Sequence, residues 1–218
     1  MVNQTVTEIN SQLTSVNNQI SAINSAATDK NGNVKLTDAQ QTTVDELTYR
    51  AGELNSSLTE IKTMGDDKDY TFSLSPQTGT YAEMPNPPSN DLKNITINFL
   101  NGDIGNKLHE IKHGYQVLKG DIAFSVTNGV VSCNIGNGLR SNMDLEVPAY
   151  QRQYSYGGLL TGWQTPATGT TQAAMNTMGG FTGTTNQINT SYIITNHTQI
   201  TVTFVKSIST GAIGKPLY

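Results

Sequence analysis

The most regular feature of the sequence is a seven-residue repeat of apolar residues near its N-terminus. In INSQLTSVNNQISAINSA (residues 9–26) the apolar residues recur at alternating spacings of four and three. Such a repeat predicts a left-handed coiled coil, and β-branched residues at its d positions favour three or more strands. The other interpretation is an amphipathic helix that packs on its own domain. The contacts predicted for a trimer are Val6, Ile9, Leu13, Val16, Ile20 and Ile23.

A second helix is predicted after a short turn at residues 28–36. Apolar residues between Val44 and Ile61 continue the alternating spacing, and Thr37 with Gln40 predicts a capping box at the start. Two helices of similar length predict either a helical hairpin or one continuous stalk. The turn also resembles a calcium-binding loop, but Val34 stands where that loop requires glycine. We therefore interpret it as an Asn-Gly turn.

The pattern changes at residue 66. Residues 66–93 hold four of the seven prolines and show no period, which predicts a linker or neck, with room for one short strand at residues 70–74. From residue 94 onward the alternation of apolar and polar residues indicates strands. Residues 121–135 form the clearest hairpin, because Asn128-Gly129 is a two-residue turn signal. Another hairpin is predicted within residues 191–205.

The register of the first hairpin follows from its turn. It sets Val126 opposite Val131, Phe124 opposite Cys133 and Ile122 opposite Ile135, all on one face. Cys133 is then a small core residue rather than a nucleophile. Together these elements predict an α+β protein with a coiled coil at 1–65, a neck at 66–93 and an antiparallel β tip domain at 94–218. The tip is expected to be a barrel or jelly roll.

The composition of the chain limits the classes of function that are expected. The net charge is −4 and charged residues make up 14% of the chain, so a basic surface for nucleic acid is not expected. The single cysteine excludes an intrachain disulfide, and neither a signal sequence nor a membrane span is apparent. Residues 153–205 contain no Asp, Glu, Lys or Arg. That stretch is expected either to be buried between chains or to present a neutral polar surface suited to sugars.

Aromatic residues near this uncharged stretch suggest where a sugar could bind. Trp163 is the only tryptophan, and an aromatic ring offers a flat apolar face for a sugar. The other interpretation places Trp163 and one tyrosine in the core of a small barrel. The candidate saccharide-binding residues are Trp163, Tyr154, Tyr156, Arg152 and His197.

Catalytic chemistry is not expected. His109 and His113 lie four residues apart with Glu110 between them, and the Gly-Tyr that follows indicates a turn into a strand. On a strand the two histidines would share a face, which gives at most a weak surface metal site. We do not assign the stretch to the zinc-peptidase motif. No metal ligand, catalytic residue or cofactor is predicted, and the protein is expected not to be an enzyme.

The order of segments resembles the trimeric receptor-binding and fibre proteins of tailed bacteriophages, especially phages of lactic-acid bacteria. The resemblance rests on INSQLTSVNNQISAIN, on LTDAQQTTVDEL, and on MDLEVPAYQRQYSYGG (residues 143–158), which is similar to a strand-and-proline segment of such tips. It implies a virion homotrimer, made in the host cytoplasm. Its N-terminal helices would contact other virion proteins and its tip would bind a host saccharide. The alternatives are a structural connector or head decoration protein, and a polysaccharide depolymerase.

Overall fold

The computed structural model describes residues 2–79, 84–137 and 143–157. In these ranges the chain forms helices and strands in mixed order rather than helices followed by strands. The elements are α1 (Val2–Ala26), α2 (Asp38–Asp66), β1 (Thr71–Gln77), β2 (Asn94–Leu100), α3 (Ile104–Lys119), β3 (Ile122–Thr127), β4 (Val130–Ile135) and α4 (Met143–Gly157).

Helices α1 and α2 fold back on each other as a hairpin. Thr37 caps α2, and the Gln40 side chain reaches back to the backbone of Thr37, so the predicted capping box is confirmed. The connecting turn is held by Asp29, whose carboxylate accepts hydrogen bonds from the backbone N–H groups of Asn31 and Asn33. Gly32 adopts a φ of +83°, a conformation open to glycine.

The heptad positions of α1 are buried within a single chain. Ile9 and Val16 have no exposed surface and belong to the same core as Leu47 and Leu54 of α2. Four further predicted trimer residues are half-buried against this core: Val6, Leu13, Ile20 and Ile23. The packing therefore follows the interpretation of an amphipathic helix on its own domain, and the homotrimer stays a prediction.

Strands β1 and β2 pair in parallel, with Thr71 opposite Asn94 and Gln77 opposite Leu100. The neck predicted at residues 66–93 thus supplies one strand of a sheet, and the predicted boundary after residue 93 separates its two strands. Ile95, Ile97 and Phe99 of β2 are buried on one face. That face packs on α3.

Strands β3 and β4 form the predicted hairpin. The register pairs Ile122 with Ile135, Phe124 with Cys133 and Val126 with Val131, as expected from the turn. Asn128 and Gly129 have φ values of 51° and 79°, the positive values that a type I′ turn requires. Burial decreases from the base towards the turn, and Cys133 is half-buried.

The expectation of strands is wrong for residues 104–119 and 143–157, which are α3 and α4. Every residue of α4 from Ala149 to Ser155 is buried, so the alternation of buried and exposed residues that marks a half-buried strand is absent. Residues 143–157, most of the segment that resembles a strand-and-proline segment, are helical. Pro148 lies within the first two turns of α4.

Helix α3 occupies the centre of the described fold. It packs against α4, β2, α2 and β3, and eleven of its sixteen residues are buried. Asp103 caps its start, and Gly120 ends it in the left-handed conformation. Across the described ranges, no helix is long and apolar enough to cross a membrane.

Candidate metal centre

Helix α3 carries the motif His-Glu-x-x-His. Residues 109–113 read His-Glu-Ile-Lys-His, so only two residues separate Glu110 from His113. Setting this stretch apart from the zinc-peptidase motif is therefore wrong, and a correct count of its spacing would have identified it. On a helix, residues four apart share a face, so both imidazoles point to the same side of α3. Two histidines so placed, with the adjacent glutamate, are the zinc-peptidase arrangement.

Helix α4 brings Glu146 to the two histidines. His109 Nε2 lies 3.1 Å from His113 Nε2 and 3.4 Å from Glu146 Oε2. His113 Nε2 lies 3.5 Å from Glu146 Oε1. Ligand atoms about 2.0–2.1 Å from a tetrahedral zinc ion lie about 3.3 Å from one another. The two Nε2 atoms are thus spaced as in such a ligand set, each beside a different oxygen of Glu146, and one ligand atom from each of the three side chains lies within 4.8 Å of the other two.

A hydrogen-bond chain fixes the proton on His113. The Gln116 Nε2 group donates to the carbonyl oxygen of Leu145 at 2.9 Å, so Gln116 Oε1 is the acceptor facing His113. His113 Nδ1 lies 2.7 Å from that oxygen and must donate to it. In neutral His113 the lone pair is then on Nε2, which points at His109 and Glu146. This is the tautomer that binds a metal ion through Nε2.

The carboxylate of Glu146 is held in its charged form. Burial alone would raise the pKa of Glu146, but the charge of His113 and hydrogen bonds from both histidines lower it to about 2. Within the described part of the chain, Glu146 Oε1 has no hydrogen bond of ordinary length although it is buried. A buried carboxylate needs a positive partner. Either a protonated His113, whose pKa is raised by Glu146, or a bound cation can be that partner.

Burial keeps His109 neutral. Its pKa is lowered by loss of solvent, against the opposing effect of the hydrogen bond that it donates to Glu146. The Tyr150 ring meets the His109 ring edge to face, with centroids 4.5 Å apart. Burial and the charges of Glu146 and Glu110 raise the pKa of Tyr150, so its phenol stays protonated. A neutral imidazole and a neutral phenol therefore lie side by side at the centre.

Glu110 is the second carboxylate of the region. It is 4% exposed, and the Asn106 side chain donates a hydrogen bond to its Oε1 at 3.4 Å. Asn106 is itself fixed, since its Oδ1 accepts from the Leu100 backbone N–H. The charge of Glu110 raises the pKa of both His113 and Tyr150, which places the carboxylate close to the centre. Glu110 is thus a candidate proton acceptor beside the three ligands.

Helix α4 is fastened to α2 by buried polar contacts. Glu46, Glu53 and Glu60 follow one another at seven-residue spacing on α2. The Arg152 guanidinium donates to Glu53 and, at 2.9 and 3.1 Å, to Glu60. The Tyr154 hydroxyl donates to Glu46 at 2.6 Å. Glu60 also accepts from Lys112 of α3 at 2.7 Å, so the same carboxylate joins the three helices.

These contacts bear on the predicted saccharide-binding residues. Arg152 is 9% exposed and Tyr154 is 1% exposed, and both face α2 instead of solvent. Tyr154 and Tyr156 do not share a face, because residues two positions apart on a helix point in nearly opposite directions. Tyr156 is half-buried. Trp163 and His197 lie outside the described residues, as does the hairpin predicted within 191–205.

No protein-family model, no curated protein and no solved structure matches the chain.

Proposed function

We propose that the protein is a metal-dependent hydrolase, with zinc as the metal and a peptide bond as the substrate class. One observation carries this proposal: the imidazoles of His109 and His113 and the carboxylate of Glu146 are buried together, with one ligand atom from each within 4.8 Å of the other two. Nitrogen ligands with one carboxylate suit zinc, and three protein ligands with an open position are typical of catalytic zinc sites. The His-Glu-x-x-His motif adds a carboxylate adjacent to the first ligand, as in zinc peptidases.

Each side chain then has a defined task. His109, His113 and Glu146 would hold the ion, which would supply a Lewis acid and make a water more acidic. Glu110 would then be the group that accepts a proton from the attacking water and returns it to the leaving amine. Tyr150, protonated and with its ring against His109, would be a hydrogen-bond donor for the oxygen on which charge develops.

The first experiment separates metal binding from hydrolysis. The protein is freed of metal with a chelator, and zinc is titrated back in competition with a chromophoric chelator. Hydrolysis is followed with a library of quenched fluorescent peptides. We expect one zinc ion per chain, and peptide cleavage that requires it. The Glu110→Gln variant should bind zinc as the wild type does but lose cleavage by a factor of about 100 or more, the range of general-base catalysis.

His113→Ala and His197→Ala form a matched pair, since they remove two of the three histidines of the chain. His113→Ala should lose both zinc binding and cleavage, whereas His197→Ala should keep zinc binding. If a folded wild-type chain binds no zinc, the centre is a structural ion pair of protonated His113 with Glu146, and the hydrolase function is refuted. Tight binding of ferrous iron in place of zinc would instead indicate an oxygenase-type site.

A hydrolase differs from the non-enzymatic attachment protein expected from the sequence. Attachment to a host saccharide stays a prediction, and it now depends on residues outside the described ranges, Trp163 and His197 above all. The buried positions of Arg152 and Tyr154 do not favour their contact with a sugar. Glycan-array binding by Trp163→Ala, compared with the wild type, tests attachment independently of the metal centre.

A further inference from the structure

We infer that Gln116 is a positioning residue for the metal centre: it sets the tautomer of His113 and ties that ligand to the helix that carries Glu146. The inference rests on the proposed metal site and adds a residue that the His-Glu-x-x-His motif does not contain. Gln116 lies three residues after His113 on α3 and is 2% exposed. Its two polar atoms have different partners on two different helices.

The first contact controls chemistry at His113. Because Gln116 Nε2 donates to Leu145, Gln116 Oε1 accepts the proton of His113 Nδ1 at 2.7 Å. A histidine without such an acceptor is free to place its proton on Nε2, where it would block the metal. Ligating histidines in general have a partner of this kind on the other ring nitrogen, and its loss weakens metal affinity roughly 10–100-fold.

The second contact controls geometry. The carbonyl that accepts from Gln116 belongs to Leu145, the residue immediately before the ligand Glu146. One amide therefore fixes the ring of a ligand on α3 and the backbone beside the ligand on α4. Without it, both a buried N–H of His113 and a buried side of the Leu145 carbonyl lose a partner. The cost of this loss is distinct from any loss of apolar packing.

Two variants of Gln116 separate its roles. Gln116→Leu removes both contacts at nearly constant volume, whereas Gln116→Glu keeps an acceptor for His113 Nδ1, replaces the donor to Leu145 with an acceptor oxygen and, when ionised, adds a negative charge beside His113. We expect zinc affinity to fall roughly 10–100-fold in Gln116→Leu and to lie closer to the wild-type value in Gln116→Glu. The matched control is Gln151→Leu, which removes a buried glutamine of α4 that influences Tyr49 rather than a ligand.

The direct measurement is the ¹⁵N spectrum of the imidazoles in the metal-free protein at alkaline pH. Wild type and Gln116→Glu should carry the His113 proton on Nδ1, and Gln116→Leu should shift it towards Nε2. A wild-type His113 protonated on Nε2 overturns the inference even if Gln116→Leu fails to fold. A folded Gln116→Leu variant with unchanged zinc affinity also overturns the inference. If the wild type binds no zinc, the proposed function fails, and the tautomer still reports whether Gln116 sets the proton.

Discussion

Replacing Arg152 by methionine tests how helix α4, and with it Glu146, is held in place. Methionine keeps most of the aliphatic stem of arginine and removes the charge. Arg152 contacts Glu53 and Glu60 of α2, and its side chain is 10% exposed. Burial lowers its pKa to about 10, so it is still charged at neutral pH. The substitution therefore leaves two carboxylates without their shared cation.

The size of the effect follows from what remains around each carboxylate. Removing one partner of a fully buried ion pair costs about 3–5 kcal/mol. Glu60 keeps Lys112 at 2.7 Å, and the Glu53 side chain is 18% exposed and can turn towards water. We therefore expect the lower end, about 3 kcal/mol of unfolding free energy. With a typical urea dependence this lowers the midpoint of unfolding by about 1.5 M.

The assay is urea unfolding followed by far-UV circular dichroism. The matched control is Lys62→Met, which breaks an ion pair with Asp66 on the surface of α2, where the side chains are 75% and 66% exposed. Exposed pairs contribute little, so this control should leave the midpoint unchanged within error. If Arg152→Met shifts the midpoint no more than Lys62→Met, buried ion pairs do not hold α4 on α2. If it leaves stability intact and abolishes glycan binding, Arg152 is a saccharide ligand instead.

Three further outcomes are expected. Gly114→Ala should destabilise the protein and weaken zinc binding, since the new Cβ would lie 2.4 Å from Ile97 Cδ1, beside the ligand His113; unchanged unfolding and zinc titrations would contradict this. In the metal-free protein, the lowered pKa of Glu146 contributes stability above pH 4.5 that is lost as the pH falls towards 2. The raised pKa of His113 contributes stability below pH 6.5 that is lost as the pH rises through its folded pKa. Glu146→Gln should therefore flatten the profile of the urea midpoint against pH across this range. Light scattering should give three times 23.5 kDa if the heptad positions trimerise, and 23.5 kDa if they serve only the core of one chain.

The parts of the fold that sequence predicts are those set by local chemistry. The register of β3 and β4 follows from Asn128-Gly129, because a two-residue turn leaves one way to pair the flanking residues. The start of α2 follows from Thr37 and Gln40 in the same way. Both signals lie within a few residues of the structure that they determine, so no knowledge of distant contacts is needed.

Helix α3 is harder to predict because its buried face is largely polar. Hydrophobic periodicity counts apolar residues, but His109, Glu110, His113 and Gln116 are all buried there. Their partners are Glu146 and Leu145 of α4 and Asn106 of α3 itself, and the contacts with α4 are not revealed by a single-sequence pattern. The His-Glu-x-x-His motif can be recognised from the sequence, because its residues are close together in the chain. The role of Glu146 cannot be predicted in this way, because residue 146 lies near residue 109 only when α4 packs against α3.

In helix α2 the seven-residue repeat is found in acidic residues as well as in apolar ones. Helix α2 carries two stripes at this spacing, one residue apart: Leu47, Leu54 and Ile61 beside Glu46, Glu53 and Glu60. The apolar stripe belongs to the core shared with α1, and the acidic stripe contacts α4 and Lys112 of α3. Helix α1 packs on α2 through apolar residues and carries few charges, whereas α2 also makes charged contacts with α4. The heptad thus marks the faces through which α1 and α2 pack in one chain, and the neighbouring acidic stripe identifies a further partner within the same chain.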